Sequence, residues 1–536
     1  MCNVDLQKQA EQIASKLSVE EAVGQLLCYD IYDKDDPAEV EEIVKTIKPG
    51  GIFIAGMPAE KVKMYANMVN KYVSVPVIVS ADVENGPAGG ITNSGLLPYP
   101  MAWGASRDEQ AVFEAGKLTA RICRKSGIHW TFAPIVDLNV NFRSPETNIR
   151  AVSDDPDLVI KYAGAYSDGL RSEGLMITGA KHFPGSGVDE RNSHFCITVN
   201  DLSAEEWWQT LGKVYKAMIQ KGAESIMVGH YALPSLAAES EKDLPAIVCK
   251  SLLTDLLKKQ LGFDGLIVSD ALSMIGACAA ISAEELCERF IDAGGDMVLF
   301  PEPTDYDRLL DAVKCGRIPS ERFWDAVKRV ITLKIKAGLF AAEPTIPQVS
   351  ADEFASVAQK IADESITVIR DENKIVPLGL KNGDKLLVVI TSEPYWHAEP
   401  TAEPYLPLKK QFESAGIAVD FAVNPKHKAV KEMIKTYDAV LVLCDISSKN
   451  YHGGTLRIGW YNIMTYWRGY ILQHPKMVFA SLGDPYKLFD FPYLKEYINV
   501  YSNTPESQTA LAKVLCGQIH AVGESPVAFK GFFKRG

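Results

Sequence analysis

Over its first 340 residues the chain alternates short apolar runs with longer segments whose charges recur at helical spacing. The runs are Val23–Ile31, Gly51–Ala55, Val75–Ala81, Trp130–Val136, Met176–Ala180, Ser225–Val228, Gly265–Ser269 and Met297–Phe300. They are apolar at consecutive rather than alternate positions, as parallel strands covered on both faces must be. Amphipathic stretches such as Asp108–Lys125 and Glu205–Lys221 lie between them. Eight strands alternating with helices predict a (β/α)8 barrel over residues 1–340. Residues 341–351, AAEPTIPQVSA, carry two prolines and no periodicity and are expected to be a linker. A helical pattern at Asp352–Ser365 follows, then apolar runs at Lys385–Thr391, Ala418–Ala422, Ala439–Cys444, Met477–Leu482 and Tyr497–Tyr501. Helical segments such as Leu408–Ser414 and Ser507–Cys516 separate these runs, so residues 352–536 are expected to form a three-layer α/β sandwich with a mainly parallel sheet.

Composition narrows the partners. A chain of 536 residues exceeds what one hydrophobic core organises, which agrees with two domains. The net charge of −12 argues against nucleic acid or an anionic membrane as a partner. No apolar run approaches the roughly 18 residues of a membrane span. The polar N-terminus, MCNVDLQKQAEQIASKL, has no secretory h-region, and a cytoplasmic location is expected. Ten scattered cysteines without a CxxC pair fit a reducing compartment and support neither a disulfide framework nor a zinc site.

Chemistry gathers where the apolar runs stop. In a (β/α)8 barrel the working residues sit at the C-terminal ends of the strands. Those ends carry Asp30, Asp82, Asp137 with Asn139, Lys181 with His182, His230, and Asp270. One such residue could be a helix cap, as Asp270 before Ala271-Leu272-Ser273-Met274 would be, but six converging tips exceed what capping requires. The chain has no GxxxxGK phosphate loop, no HExxH and no GxSxG elbow. A rim of carboxylates, basic groups and histidines suits polyhydroxylated ligands. Sugar cleavage needs a nucleophilic carboxylate and a proton donor, and Asp270 and His194 are candidates for the two roles. His194 closes the glycine-bearing stretch KHFPGSGVDERNSH, Lys181–His194. Trp207-Trp208 is assigned to packing and Asn450–Gly454 to a surface loop.

The blocks GQLLCYD, VPVIVSADVENG, FAPIVDLNVN, IRAVSDDPDLV, KHFPG, SIMVGHYALP and LGFDGLIVSDALSM occur in this order over the first 340 residues. In these blocks the chain resembles family 3 glycoside hydrolases, and within them the bacterial β-N-acetylglucosaminidases in their two-domain form. SITVIRDENKIVPL and SLGDPYKL extend the resemblance into the second domain. The resemblance implies a retaining exo-β-N-acetylglucosaminidase that acts on cell-wall fragments or chitooligosaccharides. It implies Asp270 as nucleophile, His194 as acid/base, and Asp82, Arg150, Lys181 and His182 as contacts to the sugar. It implies no metal and no cofactor. The oligomeric state is left open.

Two departures stand out. Ser186 replaces the family's first loop histidine, and Asn192 replaces the aspartate two residues before the acid/base histidine. Asn192 can accept a hydrogen bond from the imidazole but adds no charge, so Asp189 or Glu190 is considered as a substitute. A basic contact frequent in the family after the third strand is lost at Gly90. These changes keep two alternatives open, a phosphorylase using the same intermediate and a sugar-binding protein with weakened catalysis.

Overall fold

The computed structural model describes residues 3–393, 399–446 and 457–536, so the segment Asn450–Gly454 lies outside the described residues. The chain divides into two compact units. The first comprises 1–95, 113–138 and 159–351, and the second 96–112, 139–158 and 352–536. Two segments of the first 340 residues thus group with the second unit, an exchange that a boundary drawn along the sequence does not express.

In the first unit eight strands form one parallel sheet. They are β1 Leu27–Tyr32, β2 Gly51–Ala55, β3 Ile78–Ala81, β4 Trp130–Thr131, β5 Ile177–Phe183, β6 Ser225–Val228, β7 Leu266–Ser269 and β8 Val298–Leu299. β8 pairs with β1, and the amides of Met297 and Ser269 bond to Ile267 O and Met297 O, which brings the last strands together into a (β/α)8 barrel. All eight apolar runs of the sequence contain a strand. The run at Val23 starts differently, because Val19–Gln25 is a helix opened by a capping box between Ser18 and Glu21. The stretch at Glu205–Lys221 is two helices, Ala204–Gln209 and Leu211–Gln220, broken at Thr210.

The second unit holds a six-stranded sheet. β10 Lys385–Ser392, β11 Ala418–Val423, β12 Ala439–Asp445, β13 Met477–Ser481 and β14 Glu496–Asn499 are parallel, in the order β14-β13-β12-β10-β11. β9, Thr367–Asp371, adds an antiparallel edge beside β14. Apolar clusters cover both faces of this sheet, Leu387, Val389, Val440 and Phe479 lying in one and Leu386, Val388, Leu441 and Val478 in the other. This is the alternation a doubly covered strand must show.

Candidate active site

The C-terminal end of β5 is the centre of the rim. Lys181 is 3% exposed at its side chain, and its ammonium lies 2.5 Å from Asp82 Oδ1 and 2.7 Å from Glu84 Oε1. Both carboxylates follow β3 in one ADVE run. His182 beside it is buried, and its Nδ1 donates to Asp137 Oδ2 at 2.8 Å. Asp137, just beyond β4, also accepts the His182 amide and the Ser186 amide, the latter at 2.7 Å. Burial alone would push the His182 ring down, but the Asp137 charge and hydrogen bond, with Asp270, hold it above the ordinary histidine value. His182 is thereby favoured as a cation. Its Nε2 has no partner among the described residues.

Asp270 follows β7 directly and keeps partial exposure. Burial works to raise its carboxyl, yet His182, His230 and Lys181, with the Ala271 amide at 2.8 Å, outweigh that and hold it below the usual carboxylate range. Asp270 is therefore an ionised carboxylate in a cationic surround. Its main chain is anchored too, the amide donating to Val228 O at 2.8 Å. His230 Nε2 donates to Ala271 O at 2.9 Å and so braces the turn behind Asp270. Asp270 is thus no helix cap: the helix after it begins at Ile275.

His194 reaches this neighbourhood through main-chain contacts. The amides of Ile275 and Gly276, which open the short helix after Asp270, donate to His194 O at 3.1 Å and Ser193 O at 3.2 Å. A Cβ at Gly276 would stand 2.3 Å from Ser193 O and 2.8 Å from Cys196 O, so glycine permits the approach. His194 Nδ1 donates to Asn192 Oδ1 at 2.7 Å, and that oxygen also accepts the His194 amide at 2.9 Å. The Asn192 side chain orients the imidazole. Asp189 does not take over this task, because Arg191 and the Val199 amide occupy its carboxylate.

The helix behind β5 supports the loop from below. Trp207 is fully buried and donates from Nε1 to Pro184 O at 2.8 Å, which makes it a packing residue as its helical position implied. Six residues singled out in the sequence, Asp82, Lys181, His182, Asn192, His194 and Asp270, therefore belong to the first unit. Arg150 belongs to the second, where its Nη1 donates to Glu146 O at 3.0 Å, and its expected sugar contact rests on the resemblance alone. Sequence reasoning assigned no role to Glu84 and did not pair Asp137 with His182. The signals were present, a carboxylate two residues beyond Asp82 and another at the neighbouring strand tip.

Comparison with known proteins shows the family of the chain. The family described as "Glycosyl hydrolase family 3 N terminal domain" matches residues 18–333. The chain is 30% identical over 549 residues to a "Beta-N-acetylglucosaminidase/beta-glucosidase" of Cellulomonas fimi, covering 96% of this chain and 95% of the relative. It is 28% identical over 338 residues to "Beta-hexosaminidase LpqI" of Mycobacterium tuberculosis, covering 60% and 84% of the two chains. Among solved structures it is similar to "Beta-glucoside phosphorylase BglX bound to 2FGlc", with a TM-score of 0.89, 28% identity and coverage of 98% and 96%.

Proposed function

The chain belongs to glycosyl hydrolase family 3, and from that premise we propose that it is a retaining, exo-acting β-N-acetylglucosaminidase. It takes a terminal β-linked N-acetylglucosamine from cytoplasmic cell-wall fragments or chitooligosaccharides. The observation that carries this reading is Asp270, ionised among His182, His230 and Lys181, with the His194 segment bonded to the start of the helix that follows it. In the first step the Asp270 carboxylate attacks the anomeric carbon while the glycosidic bond breaks and His194 protonates the departing oxygen. A glycosyl ester on Asp270 results. His194 then takes a proton from water as the water oxygen attacks the anomeric carbon, and the sugar leaves with its original configuration. Asp82, Lys181 and His182 hold the sugar hydroxyls. The cytoplasmic setting is supported by nine described cysteines, all unpaired.

A second reading has specific support. In it inorganic phosphate replaces water in the second step and yields a sugar 1-phosphate. The similarity to a β-glucoside phosphorylase favours it, as does the uncharged Asn192 beneath His194, which repels a phosphate less than an aspartate would.

The test is phenol release from aryl N-acetyl-β-glucosaminide and aryl β-glucoside near neutral pH, with and without phosphate. Asp270→Asn is expected to lower turnover by about 10⁴-fold or more, as loss of a covalent nucleophile does. A variant that keeps wild-type turnover sinks the mechanism, and an inert wild type that still binds sugar leaves the weakened, sugar-binding alternative. Acceleration by phosphate with sugar 1-phosphate as product decides for phosphorolysis, and free sugar alone for hydrolysis.

A further inference from the structure

At the opposite end of the barrel, where β3 and β4 begin, the first unit contains a cavity of about 560 Å³. Two side chains in its wall are more than nine-tenths buried, Arg124 at 4% and His129 at 7% exposure. The hydrogen bonds around them fix what they present. The Val79 amide donates to His129 Nδ1 at 3.2 Å, so the proton of the neutral ring sits on Nε2, for which no protein acceptor exists among the described residues. Burial, reinforced by Arg124, pushes this imidazole down to about 3, which keeps that tautomer through the neutral range. The Val77 amide occupies Asn70 Oδ1 at 2.9 Å and leaves the Asn70 amide nitrogen as a donor.

Arg124 is only partly used. Nη1 donates to Ala337 O at 2.7 Å, and Nε has no partner. Nη2 reaches Glu343 at 3.5 Å, a long contact to a side chain that is 71% exposed. Lys63 and Lys125 complete the polar wall, so three cations line the cavity against one carboxylate. Leu339, Pro344 and Ile346 provide an apolar side.

We propose that this cavity binds a small organic anion. Its phosphate or carboxylate lies on Arg124 and the His129 Nε2–H, and its body lies against Leu339 and Ile346. Glu343 is then an internal competitor that rests on Arg124 when the ligand is absent. Convergent donors with a single weakly held carboxylate are what a charge-assisted anion site requires. The volume exceeds that of one phosphate group, which is the reason for an organic ligand rather than a bare ion.

The experiment is calorimetric titration of the full chain with glucose 6-phosphate, inorganic phosphate and glucose. Glucose 6-phosphate is expected to bind more tightly than inorganic phosphate. Lys63→Ser is expected to weaken it several-fold and Arg124→Met by about ten-fold or more, whereas Glu343→Gln tightens it, and none of the three alters glucose binding or aryl glycoside turnover. Lys63 and Glu343 are exposed and decide the matter even if Arg124→Met does not fold. Absence of binding at millimolar concentration, or affinity unmoved by Lys63→Ser and Glu343→Gln, overturns the proposal. Equal affinity for inorganic phosphate overturns its organic part.

Discussion

At the C-terminal end of the barrel Lys181 sits between Asp82 and Glu84 and His182 against Asp137, whereas at the N-terminal end Lys334 meets the neutral Gln25 and His129 a backbone amide. All four basic side chains are buried. The outcomes diverge because the partners differ. Asp137 overcomes desolvation and keeps His182 charged, while Lys334, donating at 2.5 Å to an uncharged amide, is pushed down to about 7. Between His182 and Lys334 the partner decides, a carboxylate outweighing desolvation at the first and a neutral amide failing to do so at the second.

Removing the carboxylate beside His182 gives the largest expected break in that contrast. Asp137→Asn leaves an acceptor for His182 Nδ1 but no charge, and kcat/KM is expected to fall by about 10²- to 10³-fold. The raised value of His182 means that its cation persists above the unfolded pKa of 6.5 and is lost as pH rises through the folded value. Its stabilising contribution is complete below pH 6.5 and disappears over the same interval. In the variant the alkaline limb of the kcat/KM profile is expected to move to lower pH, and an unmoved limb would show that Asp137 does not set the His182 charge.

A smaller effect separates charge from position at the same end. Gly276→Ala introduces a methyl group against Ser193 O and Cys196 O and forces the His194 segment to shift. About a ten-fold loss in kcat with KM nearly unchanged is expected from the role proposed for His194, since misplacing a proton donor costs turnover rather than binding. Wild-type kcat in this variant would break the link between the main-chain contacts and His194.

The smallest expected change is at the N-terminal end. Lys334 is destabilising where its folded value of about 7 lies below the 10.5 of the free side chain, so stability rises with pH between those values and the cost is full below pH 7. Lys334→Met removes that cost but leaves Gln25 Oε1 without a donor. A net gain of about 2 kcal/mol below pH 7, turning into a net loss towards pH 10 where only the cost of the orphaned Gln25 remains, is expected from urea unfolding at several pH values. A pH-independent difference would remove the electrostatic explanation.

Much of this was legible in the sequence for a simple reason. Strands buried on both faces leave unbroken apolar runs, and the eight in the first 340 residues all contain barrel strands. β9 was not legible, because Thr367–Asp371 is an antiparallel edge whose last two residues are charged. The grouping of 96–112 and 139–158 with the second unit left no mark in periodicity either. At the site, Asp270 and Lys181 stood out as ionisable groups ending apolar runs. The Asp137–His182 pair depends on neighbouring strands converging, which spacing along the chain does not encode. The hydrogen bond that Asn192 accepts from His194 was anticipated from its carbonyl, whereas Asp189, considered as a substitute, is engaged by Arg191 two residues on, a competition the reading did not weigh.

The His194 loop is held by its main chain at Ser186, Ser193 and His194 and by the side chains of Asp189 and Asn192. Any residue except proline supplies an amide, and any residue at all a carbonyl. At Ser186 the amide contact to Asp137 survives a change of side chain, whereas the contacts of Asp189 and Asn192 do not. For protein engineers this makes position 186, rather than the whole stretch to 192, the place to vary side chains on an unaltered loop path.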